Sequence, residues 1–354
     1  MLPISRRSEN PSNVSSALSG VVIDSLALAP MEGVTDEVVR EIYAEMGAVD
    51  YVVTEFIRVS GEALPPKVLL RECPELRARC LLGTTVVHLQ LLGGDPERVA
   101  ASAQLAHELG ATSIDLNFGC PAPTVNRHDG GATLLKAPER VQAVTRAVRR
   151  ALPPGAHVSA KVRLGWDDPD AIVEIARAVE EGGASLLTVH GRTRAQGYAP
   201  PADWVRIGRA RERVAIPVVA NGDLDSPEAI ARCQRESGCT RFMLGRGAMA
   251  RPELFRLLRG LDHEYWSTQS RLALVLEYID RCLARGPGRE RLALARANQW
   301  LKALATADEG ARVVFESLKR HDDVQPLRSG LLLAIGQDAR QPGEANPLRA
   351  TTAP

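Results

Sequence analysis

Asp115-Leu-Asn-Phe-Gly-Cys120-Pro-Ala-Pro-Thr-Val-Asn126 is the stretch whose reading decides the fold. Ile114-Asp115-Leu116-Asn117 alternates apolar and polar side chains, the period of a β-strand. The Gly-Cys-Pro that follows can extend neither a strand nor a helix. Pro121 fixes φ and lacks a backbone donor, and Gly119 permits a sharp bend. Cys120 is therefore expected on a loop at the carboxyl end of a strand, which in an α/β barrel is the end that carries the chemistry.

Seven similar runs flank this one: Leu26–Ala29, Tyr51–Thr54, Val86–Leu91, His157–Val162, Ser185–His190, Pro217–Asn221 and Arg241–Leu244. Helical patterns lie between most of them. Pro96–Leu109, Pro138–Ala151, Pro169–Glu181 and Pro227–Glu236 each begin at proline, a favoured first helical position. Gly47, Gly110, Gly182 and Gly238 stand where helices end. The segment from Ile57 to Gly83 fits less well and reads as a long loop with short helices. Eight βα units imply a (β/α)8 TIM barrel, with a doubly wound sheet as the rival. Polar residues at nearly every strand end favour the barrel, because its eight loops converge.

Strand signals stop near Gly260. Ser270–Ala284, Arg289–Ala305 and Gly310–Lys319 read as amphipathic helices, so a small all-helical C-terminal domain is expected over 261–336, after a barrel over 19–260. Residues 1–18 are rich in Ser, Asn and Pro and read as a disordered extension, and 337–354 as a disordered tail.

The chain has 354 residues, 45% of them hydrophobic and 25% charged, an ordinary globular composition. A net charge of +1 argues neither for nor against a nucleic-acid partner. The six cysteines form no CxxC pair, which excludes the usual zinc and thioredoxin spacings and leaves reduced thiols in a cytoplasmic protein as the simplest reading. No apolar run reaches membrane-spanning length, and the N-terminus has no secretory signal. Neither a metal nor a membrane is expected.

The strand ends carry the candidate site. Ala29-Pro30-Met31 ends the first strand and offers backbone to a flat ligand. Gln90, Asn117, Lys161 with Arg163, and His190 with Arg192 end the third to sixth. Asn221-Gly222-Asp223 ends the seventh, and Gly245-Arg246-Gly247 the eighth. The last two loops form the usual barrel phosphate site, where glycines let backbone N–H groups approach an anion. A phosphate there, with Gln, Lys and His reaching the middle of the mouth, describes a flavin mononucleotide pocket. Lys161 would put positive charge near the pyrimidine end of the flavin.

Each residue also has a plainer reading. A lone cysteine is usually packing, and Cys73, Cys80, Cys233, Cys239 and Cys282 are read so. Cys120 is set apart by its Gly and Pro neighbours. Lys161 could be a solvated edge residue, His190 a structural histidine, and Gly245-Arg246-Gly247 a simple helix-entry turn. Only their convergence on one face favours a site.

A family resemblance runs from about residue 26 to about 305, in order and in spacing. Ala29-Pro-Met-Glu-Gly-Val-Thr-Asp36, Thr54-Glu-Phe56, Gln90-Leu-Leu-Gly93 and Asp115-Leu-Asn-Phe-Gly-Cys-Pro121 resemble the tRNA-dihydrouridine synthases. So do Lys161-Val-Arg-Leu-Gly165, His190-Gly-Arg-Thr-Arg-Ala-Gln-Gly-Tyr198, Val219-Ala-Asn-Gly222 and Gly245-Arg-Gly-Ala248. Glu32, Leu64-Pro-Pro-Lys67, Cys73-Pro-Glu-Leu76 and Gln299-Trp300-Leu301 are similar to the bacterial C-type branch. The resemblance implies flavin-dependent reduction of uridine to dihydrouridine in the tRNA D-loop, at position 16, with NADPH reducing the flavin and Cys120 donating a proton to uracil C5. A thiol of ordinary pKa is mostly protonated at neutral pH and can serve as that acid. The target base must leave the RNA stack to be reached.

Carried over by position, Ala29, Pro30, Met31, Gln90, Lys161, His190, Asn221, Gly222, Asp223, Gly245 and Arg246 would hold FMN. Asn117 and Tyr198 would contact uracil, and Arg192 and Arg194 nearby RNA. Glu32, Arg296 and Asn298 would contact tRNA from the mouth and the tail, with Trp300 as packing beneath Arg296. The enzyme is read as a monomer. Arg127-His-Asp129 departs from the smaller residues that C-type members carry there, which bears on how the Cys120 loop closes. From Arg281 to Ala307 stand six basic residues and one acidic. That excess suits phosphate contacts, although charge alone favours a solvated helix face. Two other functions compete: a flavin barrel acting on a free pyrimidine or enone, and a non-catalytic tRNA-binding protein.

Overall fold

The computed structural model describes residues 14–127 and 129–336. Its sheet comprises β1 (Ser25–Leu28), β2 (Tyr51–Val53), β3 (Ile57–Arg58), β4 (Leu81–Leu82), β5 (Thr85–Leu92), β6 (Ser113–Asn117), β7 (His157–Arg163), β8 (Leu186–His190), β9 (Val218–Asn221) and β10 (Arg241–Leu244). Eight of these run parallel in the order β2-β1-β10-β9-β8-β7-β6-β5, and β2 pairs with β5 to close the ring. The result is a (β/α)8 barrel and not a doubly wound sheet. Each barrel strand ends within one residue of its expected limits. The short strands β3 and β4 both edge β5 and belong to the 57–83 segment. That segment also holds a helix, Pro66–Glu72, and a 3-10 turn, Pro74–Ala78.

Alternate strand residues face the barrel axis. Ala27, Tyr51, Val53, Leu186, Val219 and Met243 form an apolar cluster there. Toward the carboxyl ends the axis becomes polar, with Gln90, Asp115, Asn117, His190 and Asn221 all buried. The helices Pro96–Glu108, Pro138–Ala151 and Pro227–Ser237 start at their prolines. Asp95 and Ser226 cap two of them by accepting from the N–H of Arg98 and of Ala229. Pro169 instead opens a 3-10 turn that leads into Ile172–Glu181. A short helix, Val14–Ala17, lies inside the segment read as a disordered extension, and Val14 is buried; the expectation is corrected for residues 14–18. Residues 1–13 and 337–354 lie outside the described residues.

Among the described residues four helices follow the barrel: Thr268–Ala284, Glu290–Leu304, Glu309–Leu318 and Val324–Gly336. The last carries Pro326 and Gly330, breakers that hid it from a periodicity reading. Pro326 sits in its first turn, where a missing donor is harmless. A Cβ at Gly330 would come within 2.4 Å of the Leu318 side chain, so Leu318 packs into the space that the glycine leaves.

Aromatic packing and charge join the tail to the barrel. Trp300 is 1% exposed and stacks on Tyr43 of the Glu37–Glu45 helix at 6.1 Å, with Tyr278 edge-on at 6.2 Å. Tyr278 donates to Asp36 at 2.6 Å, and Tyr43 to the Ala248 carbonyl at 2.8 Å. Alongside runs a ladder. Glu37, Glu41 and Glu45, four residues apart on one helix, meet Arg289, Arg285 and Arg281 from the tail. Three of the six basic residues read as suited to phosphate thus pair within the molecule. Such pairs add only ~0–1 kcal/mol each, but they fix the direction in which the tail points.

A buried triad locks the same junction. Arg271 donates to Glu253, at the end of the barrel, and to Asp308 at 2.6 Å, and Asp308 caps the Glu309–Leu318 helix. Arg271→Ala would leave two buried carboxylates without a counter-charge. It should cost about 3–5 kcal/mol in urea unfolding, whereas Arg281→Ala should cost less than about 1 kcal/mol.

Candidate active site at the barrel mouth

Cys120 lies on the loop after β6, as expected, and the reason is local. Asn117, the last strand residue, folds its side chain forward, and its Oδ1 accepts from the N–H of Gly119 at 3.0 Å and of Cys120 at 2.9 Å. Ala132 N–H donates to the Cys120 carbonyl at 3.1 Å. Gly131, at φ 59°, lies so close that a Cβ would be 2.9 Å from that carbonyl and 3.1 Å from Cys120 Cβ. In the divergent stretch, His128 lies outside the described residues, but Asp129 is placed. Asp129 adopts the left-handed conformation, with φ 57°, and pairs with Arg140 at 2.5 and 2.7 Å. Its carbonyl fills the space beside Gly94, where a Cβ would come to 2.0 Å.

Burial raises the Cys120 thiol above its ordinary pKa, and nearby Glu32 adds to the rise; a backbone hydrogen bond from Ala122, Arg163 and Lys161 oppose it. The group is held as a neutral acid at physiological pH.

Lys161 is drawn down to about 8, chiefly by burial and then by Arg163, with Asp115 and Cys120 opposing. Its Nζ donates to Asn221 Oδ1 at 3.1 Å, and Asn221 Nδ2 donates to the Met243 carbonyl at 2.8 Å. Burial and the surrounding cations Lys161, Arg163, Arg192 and Arg246 hold His190 well below its usual pKa. A neutral imidazole can accept at Nε2 from Arg192 Nη1, 3.1 Å away, which leaves its proton on Nδ1. Gln90 is fully buried, and its Oε1 accepts from Asn117 Nδ2 at 2.8 Å.

The two glycine loops adjoin these groups. A Cβ at Gly222 would lie 2.9 Å from His190 Cδ2, and one at Gly245 would lie 3.5 Å from Ala29 Cβ and from Met31 Sδ. Backbone and small groups thus line one wall of the mouth. Arg246 stands exposed beside it, 3.7 Å from Asp223. Asp223, expected to hold cofactor, spends its carboxylate internally: Oδ2 accepts from Arg192 and from Ala202 N–H at 2.8 Å.

Arg192 is a correction. It was expected to face RNA, but its side chain is 0% exposed and is consumed by Asp223, His190 and the Ala199 carbonyl at 2.6 Å. It braces the loops from within. Arg163, recognised as a strand-end residue but given no role, proves central. It donates to the carbonyls of Gly119 at 2.8 Å, Thr193 at 3.1 Å and Gly197 at 2.7 Å, tying the cysteine loop to the loop after β8. The signal was there, since Lys161 and Arg163 are two apart in a strand and share the inward face.

Tyr198 is 54% exposed at the rim, with Arg163 5.1 Å and Arg246 5.2 Å from its ring centroid. Arg194 lies over the Trp166 ring at 4.5 Å, with Lys136 over the same ring at 3.9 Å, and its Nε has no hydrogen-bond partner among the described residues. Arg296 reaches from the tail to the barrel mouth, 3.9 Å from Asp36 and 3.8 Å from Glu55, with Nη1 3.3 Å from Gln299 Oε1. Burial raises the Glu32 carboxyl, and Glu55 adds to the rise, while Arg296 opposes it. Asn298 is half-buried on the same helix, and its Oδ1 has no partner among the described residues. No cluster of three or more metal-ligating side chains occurs among the described residues, and no described helix is long and apolar enough to cross a membrane.

Fold and mouth together define a (β/α)8-barrel enzyme whose polar site sits at the carboxyl ends of its strands. The family model described as dihydrouridine synthase matches residues 27–326, and the chain belongs to that family. It is 44% identical over 305 residues to the tRNA-dihydrouridine(16) synthase of Pseudomonas putida, covering 84% of this chain and 93% of that protein. The enzyme of that name from Haemophilus influenzae is 41% identical, covering 85% of this chain and 97% of the relative. Among solved structures, morphinone reductase in complex with tetrahydroNAD aligns with a TM-score of 0.49 at 14% identity, over 70% of this chain and 90% of that one.

A protonated Cys120 should alkylate slowly. Its labelling by iodoacetamide, followed by peptide mass spectrometry, should rise about tenfold per pH unit from neutrality and show no plateau by about pH 9.

Proposed function

We propose that this enzyme reduces uridine to 5,6-dihydrouridine in the D-loop of tRNA, at position 16, using FMN and NADPH. The observation that carries the reading is the placement of Cys120, whose loop is fixed by Asn117 and Gly131 at the same mouth as Lys161, His190 and the glycine loops. Family membership supports the reaction, and relatives named for position 16 support the position.

The donor set suits a flavin. Lys161, Gln90 and the Nδ1–H of His190 offer N–H groups to ring nitrogens and carbonyls. Ala29, Pro30, Met31 and Gly245 give a flat wall, and Gly222 and Arg246 suit a phosphate. Asp223 serves by holding Arg246 near. When bound, the flavin supplies the hydride that uracil C6 accepts. The chain's own part is to bind, orient and protonate. Asn117 and Tyr198 hold the flipped uracil, and Cys120 Sγ delivers its proton to C5. Lys161, protonated below about pH 8, would supply positive charge to the pyrimidine end of a bound flavin.

The 19–260 barrel carries the chemistry in this reading, and the 261–336 helices orient the tRNA. Arg296 and Asn298, on the tail helix nearest the mouth, would contact RNA together with Glu32 and Arg194. The protein acts as a monomer in the cytoplasm.

Cys120→Ala should retain flavin and oxidise NADPH at the wild-type rate, while dihydrouridine formation falls about 10²–10⁴-fold. Normal dihydrouridine formation in that variant would remove the cysteine from the mechanism. With unmodified tRNA transcripts, dihydrouridine mapping should find the product at position 16 and not at 17 or 20. Product elsewhere would leave the family assignment intact and overturn the position.

A further inference from the structure

The register of three neighbouring strands places Gln90, Asp115 and Ser159 on one rung of the barrel, with Gln90 opposite Asp115 and Asp115 opposite Ser159. All three are buried. Asp115 Oδ2 accepts from Gln90 Nε2 at 2.7 Å, and Oδ1 accepts from Ser159 Oγ at 2.5 Å. Gln90 Oε1 accepts from Asn117 Nδ2, and Asn117 Oδ1 accepts from the N–H of Gly119 and of Cys120. An unbroken line of hydrogen bonds therefore runs from a buried carboxylate to the backbone of the cysteine loop.

We propose that Asp115 is a positioning residue that sets the direction of this line, and through it the seat of the Cys120 thiol. A carboxylate can only accept. Gln90 must therefore turn its amide nitrogen toward Asp115, which leaves its oxygen for Asn117. Asn117 must then turn its nitrogen toward Gln90, which leaves its oxygen for the two loop N–H groups. Were Gln90 reversed, Asn117 would reverse too, and its NH2 would face the donors of Gly119 and Cys120. The loop would lose both of its hydrogen bonds to the Asn117 side chain and keep those from Arg163 and Ala132 to its carbonyls.

The proposal rests on the reading of the function given above for its activity test, but not for its stability test. Asp115→Asn can keep the direction, with Oδ1 toward Gln90 and Nδ2 toward the Ser159 hydroxyl, which can accept. Asp115→Ala cannot. Stopped-flow should find Asp115→Asn within about threefold of wild type in both half-reactions. Asp115→Ala should be reduced by NADPH within about threefold of wild type, yet be reoxidised by tRNA roughly a hundredfold more slowly. Equal loss in both half-reactions, or equal damage from Asn and Ala, would overturn the proposal.

A thermal cycle tests the line without any turnover. Asn117→Asp keeps an acceptor for the loop but forces Gln90 to reverse, so that Oε1 faces the Asp115 carboxylate. The purified Asn117→Asp protein should melt below wild type. Adding Asp115→Asn, whose Nδ2 can donate to that Oε1, should restore much of the loss. Additive destabilisation by the two changes would refute the proposal. Wild-type protein that reduces no uridine in tRNA would instead sink the functional reading and leave the thermal cycle to judge the line.

Discussion

The pairing of β2 with β5 is the contact on which the site depends. It is short, joining Tyr51, Val52 and Val53 to Val86, Val87 and His88, but it turns the eight-strand run from β2 to β5 into a closed ring. Closure forces the eight carboxyl ends onto one rim. Lys161 of β7 can then reach Asn221 of β9 across β8, and Gly245 after β10 can lie against Ala29 and Met31 after β1. In an open sheet β2 and β5 would lie at opposite edges. The apolar cluster around Tyr51 and Met243 fills the ring below, so the polar groups occupy only its mouth.

Burial then does most of the chemical tuning. It is the largest cause acting on Cys120, Lys161 and His190 alike, yet its effect differs with the charge of each group. The thiol is kept neutral and acidic, the imidazole neutral, and the amine charged only to about pH 8. Asp115 feels the same pressure upward, opposed by Ser159, Gln90 and Lys161. The thiol at this mouth stays protonated, and the nearby Glu32 carboxyl adds to the pressure that keeps it so.

A chain of net charge +1 can engage a polyanion only through the local distribution of its cations. Much of its arginine is committed elsewhere. Arg281, Arg285 and Arg289 bind the barrel helix, Arg271 neutralises two buried carboxylates, and Arg192 braces the mouth. The ladder and the Tyr43–Trp300–Tyr278 stack hold the tail at a set angle to the mouth.

The sequence by itself determined the barrel, because strand period, proline starts and glycine stops are local properties that repeat in step with the βα unit. It also marked Cys120, Asn117, Gln90, Lys161 and His190, since each stands at a strand end where side-chain direction follows from chain direction. It did not reveal the fourth tail helix, whose Pro326 and Gly330 make sense only against the first-turn position and the packed Leu318. Nor could it show where a charge is spent. Arg192 looks like Arg194 in the sequence, yet one is fully buried on Asp223 and the other lies over Trp166. Likewise the basic run of the tail becomes a clamp only because Glu37, Glu41 and Glu45 face it. Those pairings join residues more than 200 positions apart. Local patterns are fixed by the backbone's own geometry, whereas the partner of a charge is fixed by what the fold brings beside it, and only the tertiary structure decides that.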